Sequence, residues 1–270
     1  MTTYVLVHGA WHRGRHWDAL AAELRGRGHE VLAVDLLDLG ARAATPSGFP
    51  DAPDWPDRPS PVAGLTLDAV VDDLLAQVRD LPGPVVLVAH SMGGAVATRA
   101  AERAPHLLAR VVYVAAFVPT TTGPAGAYLG TEEASTALGG GLYLGDPAAT
   151  GAVRIDPART DPAYREELAR AYFTGLPAEH VARLVADLTP DQPLCFLTTE
   201  TGATEDGWGS VPRTYVRTPR DQALPLALQD RMIAEGDRLA PATASTTVTI
   251  DAGHAVFASH PVELADALEA

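Results

Sequence analysis

The chain has 270 residues, 47% of them hydrophobic and 20% charged, with 34 acidic against 20 basic side chains and a formal charge of −14. Such a charge excludes functions that depend on neutralising phosphates, so neither nucleic acid nor an anionic membrane surface is expected as a partner. Every basic side chain is an arginine and lysine is absent, which excludes Schiff-base chemistry and any P-loop lysine.

The N-terminus enters a short apolar strand, Tyr4 to His8, without a signal-peptide pattern. A helix follows over Trp17 to Arg27, where Trp17, Leu20, Ala21 and Leu24 recur at helical spacing. Glu30 to Leu36 repeats the strand pattern. Ala41 to Gly64 is Pro-rich, polar and without periodicity, and is expected to lack structure. Thr66 to Leu81 is a helix with Thr66 as its N-cap, Pro84 to Ala89 a buried strand, Met92 to Ala104 a helix and Arg110 to Ala116 a strand. Pro119 to about Asp191 breaks the alternation: it has helical pieces, chiefly Pro162 to Asp187, but no clear strand before Leu194. A strand near Arg213 to Thr218, a helix near Ala223 to Ala234, a strand near Thr246 to Asp251 and a helix from Pro261 complete the chain.

Strands apolar on both faces, alternating with helices, predict an α/β fold with a doubly wound, mostly parallel sheet. The core is expected over 1–118 and 192–270, with 119–191 inserted between sheet strands as a helical cap or lid. No apolar run reaches the ~18 to 20 residues of a membrane span. The single cysteine, Cys195, flanked by Leu194 and Phe196, reads as a core thiol in a reducing compartment. A cytoplasmic protein is expected.

The sharpest local signal is Ala89-His90-Ser91-Met92-Gly93-Gly94. It joins a buried strand to a helix of small residues, the context of a nucleophile elbow, although Ala89 replaces the usual first glycine. Serine is also a common N-cap, so Ser91 could merely open the helix. As nucleophile it needs a base, and of nine histidines His254 is the best placed, just past the last predicted strand. Asp221, on the loop after the Arg213 strand, is the favoured acid over Glu200, Asp206 and Asp251, and gives the order Ser91, Asp221, His254. The oxyanion of acyl transfer would meet backbone N–H groups of Met92 and Ala10, with Gly9 allowing the turn. His8, His12 and His16 are four residues apart, but Gly9 and Gly14 interrupt any helix, so no metal site is expected.

With these residues identified, the chain resembles the α/β-hydrolase branch of plant methylesterases, such as methyl salicylate esterases, and the related hydroxynitrile lyases. The resemblance covers nearly the whole length. It rests on Leu6-Val7-His8-Gly9-Ala10-Trp11-His12, Ala33-Val34-Asp35-Leu36, the elbow, Phe173 to Asp191, Gly209-Ser210-Val211-Pro212-Arg213 with Asp221, and Gly253-His254. It implies a triad of Ser91, Asp221 and His254, oxyanion donors at Ala10 and Met92, no cofactor, and often a homodimer. The lyases of that branch carry a lysine directly after the catalytic histidine. Here that residue is Ala255, which argues against cyanohydrin cleavage. The absence of lysine also suggests a high-GC bacterial source, so no plant hormone substrate is carried over.

The expected function is hydrolysis of a small, mostly apolar carboxylic ester through an acyl-enzyme. Trp11, His12, Phe117, Tyr143, Phe173, Trp208 and Phe257 are the candidate pocket residues. The alternatives are a lyase or cyclase of secondary metabolism, perhaps acting on a polyketide-like precursor in the same cavity, and a binding module that has lost turnover.

Overall fold

The computed structural model describes residues 1–270. The elements, in chain order, are β1 (Thr3–Val7), α1 (Asp18–Gly26), β2 (Glu30–Val34), α2 (Leu67–Arg79), β3 (Val85–His90), α3 (Gly93–Arg103), β4 (Leu108–Val114), α4 (Ala125–Tyr128), α5 (Pro147–Thr150), β5 (Ala152–Arg154), α6 (Pro162–Tyr172), α7 (Ala178–Ala186), β6 (Asp191–Pro193), α8 (Cys195–Thr198), β7 (Arg213–Arg217), α9 (Leu226–Leu239), β8 (Thr246–Thr249), α10 (Val256–Ser259) and α11 (Pro261–Glu269). Six strands form one parallel sheet in the order β2-β1-β3-β4-β7-β8. Every residue of β1 and β3 is buried, as expected of central parallel strands covered on both faces. Helix α1 packs on α11 and α2 on α3. Thr66 caps α2, its Oγ1 accepting from Ala69 N at 3.1 Å, a contact worth about 1 kcal/mol.

Two expectations from the sequence need correction. The segment between β4 and β7 is not only helical. It contains an antiparallel ribbon of β5 and β6, with Val153 opposite Gln192 and Arg154 opposite Asp191, and residues 195–198 after it are helical. The Pro-rich stretch 41–64 is also ordered around buried Trp55, with short 3₁₀ turns at Gly40–Arg42 and Trp55–Asp57. One ion pair explains both. Arg154, fully buried, makes a two-pronged contact to Asp191 at 2.6 and 2.8 Å. The same guanidinium donates to the carbonyls of Trp55, Pro56 and Arg58, each at 2.9 Å, and lies over the Trp55 ring. A buried guanidinium is tolerated only when its donors are satisfied in this way.

Candidate active site

The loop from β3 to α3 is built by close approach. Ser91 has φ +51°, the left-handed region in which a side chain is strained. That strain holds because the neighbours leave no alternative: a Cβ on Gly93 would sit 2.5 Å from the His8 carbonyl oxygen, and one on Gly94 only 1.9 Å from that of Phe117. Ala89 fits without difficulty, fully buried between Val7 and Tyr113 of the adjacent strands. The turn therefore presents Ser91 at the carboxyl edge of the sheet, where β1, β7 and β8 also end.

His254 arrives on the loop after β8 and Asp221 on the loop after β7. His254 Nε2 lies 2.9 Å from Ser91 Oγ, and Nδ1 lies 2.7 Å from Asp221 Oδ2. A carboxylate can only accept, so Nδ1 carries the proton and Nε2 is left to accept from the serine hydroxyl. Asp221 is itself fixed. Its Oδ1 accepts from Ala223 N and Leu224 N at 2.9 and 2.8 Å, and Thr218 Oγ1 donates to Oδ2. Gln229 of α9 braces that loop, accepting from Thr218 N and donating to the Leu224 carbonyl. The competing acids lie elsewhere: Asp251 pairs with Arg220 at the surface, and Glu200 and Asp206 are exposed.

The loop after β1 completes the edge. Gly9 is packed so closely that a Cβ would meet His90 Nδ1 and Ser91 Cβ, each at 2.8 Å. The N–H groups of Ala10 and Met92 donate to no acceptor in the protein, and both residues line the same cavity as Ser91 and His254. His12 Nδ1 donates to the Ala10 carbonyl at 2.6 Å, and His90 Nε2 donates to the His254 carbonyl at 3.0 Å. Burial holds both imidazoles well below the usual histidine range, and pushes His8 down to about 4. These histidines are therefore neutral supports of the loops at neutral pH.

The cavity above Ser91 has a volume of about 240 Å³ and is mostly apolar, the size for a small ligand. Of the candidate pocket residues, Trp11, Phe117 and Tyr143 line it. His12, Phe173, Trp208 and Phe257 do not. His12 lies behind the loop after β1, among His16, His90 and Phe257. Phe257 packs on Trp17 and His90, beneath the site. Trp208 is core, donating to the Tyr113 hydroxyl at 2.8 Å with Arg213 stacked on its ring. Phe173 is buried against His12, with ring centroids 6.1 Å apart, at the floor of a larger groove between α6, α7 and the Pro-rich stretch that contains neither Ser91 nor His254. Sequence reasoning missed Tyr172, which is edge-on to His254 at 5.8 Å, and Gln192, which lines the cavity. Tyr172 closes the helical period of α6, and that spacing could have found it. Nothing local marks Gln192.

Comparison with known proteins follows the same lines. The rice esterase PIR7B (Oryza sativa subsp. japonica) is 30% identical over 98% of this chain and 93% of its own length. An alpha-hydroxynitrile lyase of Arabidopsis thaliana is 28% identical over 99% and 95% of the two chains. Among solved structures, a pyrethroid hydrolase from Sphingobium faniae superposes with a TM-score of 0.75 at 22% identity, covering 99% of this chain and 96% of the other. The model for the alpha/beta hydrolase family matches residues 4–267, so the chain belongs to that family.

Proposed function

We propose that the protein is a carboxylic-ester hydrolase acting on a small, mostly apolar ester through an acyl-enzyme at Ser91. The observation that carries this reading is the continuous hydrogen-bonded series from Asp221 through His254 to Ser91 Oγ, ending in an apolar cavity. In the first half-reaction Ser91 Oγ attacks the ester carbonyl carbon and His254 Nε2 takes the hydroxyl proton. Asp221 holds the ring in the required tautomer and stabilises the imidazolium. The tetrahedral oxyanion is received by the free N–H groups of Ala10 and Met92, a contribution of about 3–4 kcal/mol per donor where such donors have been removed from hydrolases. Collapse returns the proton to the departing alcohol. Water, deprotonated by His254, then attacks the acyl carbon and releases the acid and Ser91.

Names of relatives support ester cleavage: an esterase, several methylesterases and a pyrethroid hydrolase are among them. A lyase is also among them, but Ala255 follows His254 and the chain has no lysine, so we do not extend that activity to it. The lid is the segment 119–191, which contributes Tyr143 and Tyr172 to the cavity. The lone cysteine is compatible with the reducing cytoplasm. No helix is long and apolar enough to cross a membrane.

The test is turnover of short-chain aryl esters by wild type and Ser91→Ala, with intact-mass detection of the acylated protein in a quenched reaction. Hydrolysis together with a mass increase of one acyl group, both lost in Ser91→Ala, is expected. Turnover that survives in Ser91→Ala would overturn the reading.

A further inference from the structure

Gln192 is the one side-chain amide facing the cavity, whose other polar side chains are Ser91, His254 and the phenols of Tyr143 and Tyr172. Strand alternation puts it there. In the β5–β6 ribbon, Val153 and Gln192 are directly opposed and share the face that lines the cavity, while Arg154 and Asp191 share the other face and form the buried ion pair. That ion pair, with Ser60 Oγ donating to Asp191 Oδ2 at 2.5 Å, anchors the residue next to Gln192 on both sides of the ribbon. The amide is thus presented on a fixed support.

Gln192 is only 2% exposed, yet its sole hydrogen bond is a long one, from Nε2 to the Pro193 carbonyl at 3.4 Å. Its Oε1 accepts nothing from the protein. A primary amide can donate twice and accept twice, so most of the hydrogen-bonding capacity of the Gln192 side chain is left for whatever occupies the cavity. In a mostly apolar cavity that capacity is used only by a ligand carrying a hydrogen-bonding group of its own.

We propose that Gln192 is a specificity-determining residue: it reads a neutral hydrogen-bonding group, such as a hydroxyl or carbonyl, borne by the ester away from the bond that is cleaved. The group is neutral because no Arg, Asp or Glu lines the cavity, and an ion there would be desolvated without a counter-charge. This rests on the ester-hydrolase reading and narrows its substrate class to apolar esters carrying one such polar group. A site that hydrogen-bonds a substrate hydroxyl discriminates against the analogue lacking it far more strongly than an apolar pocket discriminates by size.

The experiment measures kcat/KM for two matched pairs, one varying the alcohol side and one the acyl side. These are 4-methylphenyl against 4-hydroxyphenyl acetate, and methyl phenylacetate against methyl 4-hydroxyphenylacetate. Wild type is expected to favour the hydroxyl member of at least one pair by about tenfold or more. Gln192→Met, close in volume, should bring that ratio to within about twofold of unity, the loss falling on the hydroxyl member rather than on both members equally. Should Gln192→Met fail to fold, Gln192→Asn withdraws the amide by one methylene and is expected to cut the preference at least about threefold. Equal rates within both pairs, or a preference that survives in these variants, overturns the inference. Fluorophosphonate labelling run alongside separates the two failures. A labelled Ser91 with unmoved ratios, or with none of the four esters turned over, sinks the Gln192 proposal alone, whereas an unlabelled Ser91 with no turnover sinks the hydrolase reading and this inference with it.

Discussion

Replacing Asp221 by Asn separates the chemical role of the carboxylate from its structural one. Oδ1 accepts from two backbone N–H groups, those of Ala223 and Leu224. In Asp221→Asn the amide oxygen must therefore keep that position, and the amide nitrogen takes the place of Oδ2. The nitrogen then donates to His254 Nδ1 and to the Thr218 hydroxyl, which rotates to accept. The imidazole responds by moving its proton to Nε2, the atom 2.9 Å from Ser91 Oγ, and can no longer act as base. The analogous substitution in serine proteases lowers kcat by about 10⁴, and we expect a similar loss here, about 5 kcal/mol in barrier. Stability should change little, because the loop bonds persist. Asp221→Ala is the contrast, since it also strands two buried N–H donors, at roughly 1–3 kcal/mol. The assay is kcat on a short-chain aryl ester at neutral pH beside urea denaturation of all three proteins. If Asp221→Asn keeps kcat within about tenfold of wild type, the tautomer argument is refuted, and if it is destabilised as much as Asp221→Ala, the assignment of Oδ1 is wrong.

Three further outcomes follow from the packing. His8, His12 and His90 are buried and held neutral, whereas in the unfolded chain they titrate at the ordinary value of 6.5. Unfolding therefore takes up protons as pH falls below 6.5, and stability drops on acidification while these groups add no pH dependence above it. For His8 alone, with its folded value at about 4, the loss between 6.5 and 4 is on the order of 3 kcal/mol. Urea midpoints measured at about pH 7.5 and pH 5 should differ accordingly, and equal midpoints would contradict the burial of neutral imidazoles. Arg154→Met leaves Asp191 buried without its counter-charge and should cost about 3–5 kcal/mol, most of it recovered in Arg154→Met/Asp191→Leu, a double-mutant comparison readable by chemical denaturation. Gly94→Ala places a methyl against the Phe117 carbonyl and should either prevent soluble expression or abolish activity by displacing the Ser91 turn, as an activity and thermal-melt measurement would show.

How much of this was legible in the sequence depended on how local the determinants are. The elbow is a contiguous motif whose glycines are demanded by backbone contacts, so Ser91 and the turn could be read directly. The central strands β1 and β3 are buried along their whole length, and each strand of the sheet was found within a few residues of its observed bounds. Asp221 needed the order of strands and the family resemblance, because nothing in its own neighbourhood distinguishes it from Asp206. The β5–β6 ribbon was invisible: its strands are three residues long and are held by Arg154 and Asp191, which are 37 positions apart, and by Trp55, nearly a hundred away. The pocket aromatics were confused for a related reason. Proximity to a motif does not say which way a ring turns, so Phe257 and His12, which buttress the loops from behind, looked the same as Trp11 and Tyr143, which face the cavity.

If Ser91 is an activated nucleophile, a fluorophosphonate should react with it, and peptide mass mapping locates the adduct. A single adduct on Ser91 is expected in wild type, sharply slowed in Asp221→Asn and absent in Ser91→Ala. Wild type that remains unlabelled, or an adduct on any other residue, would contradict that assignment.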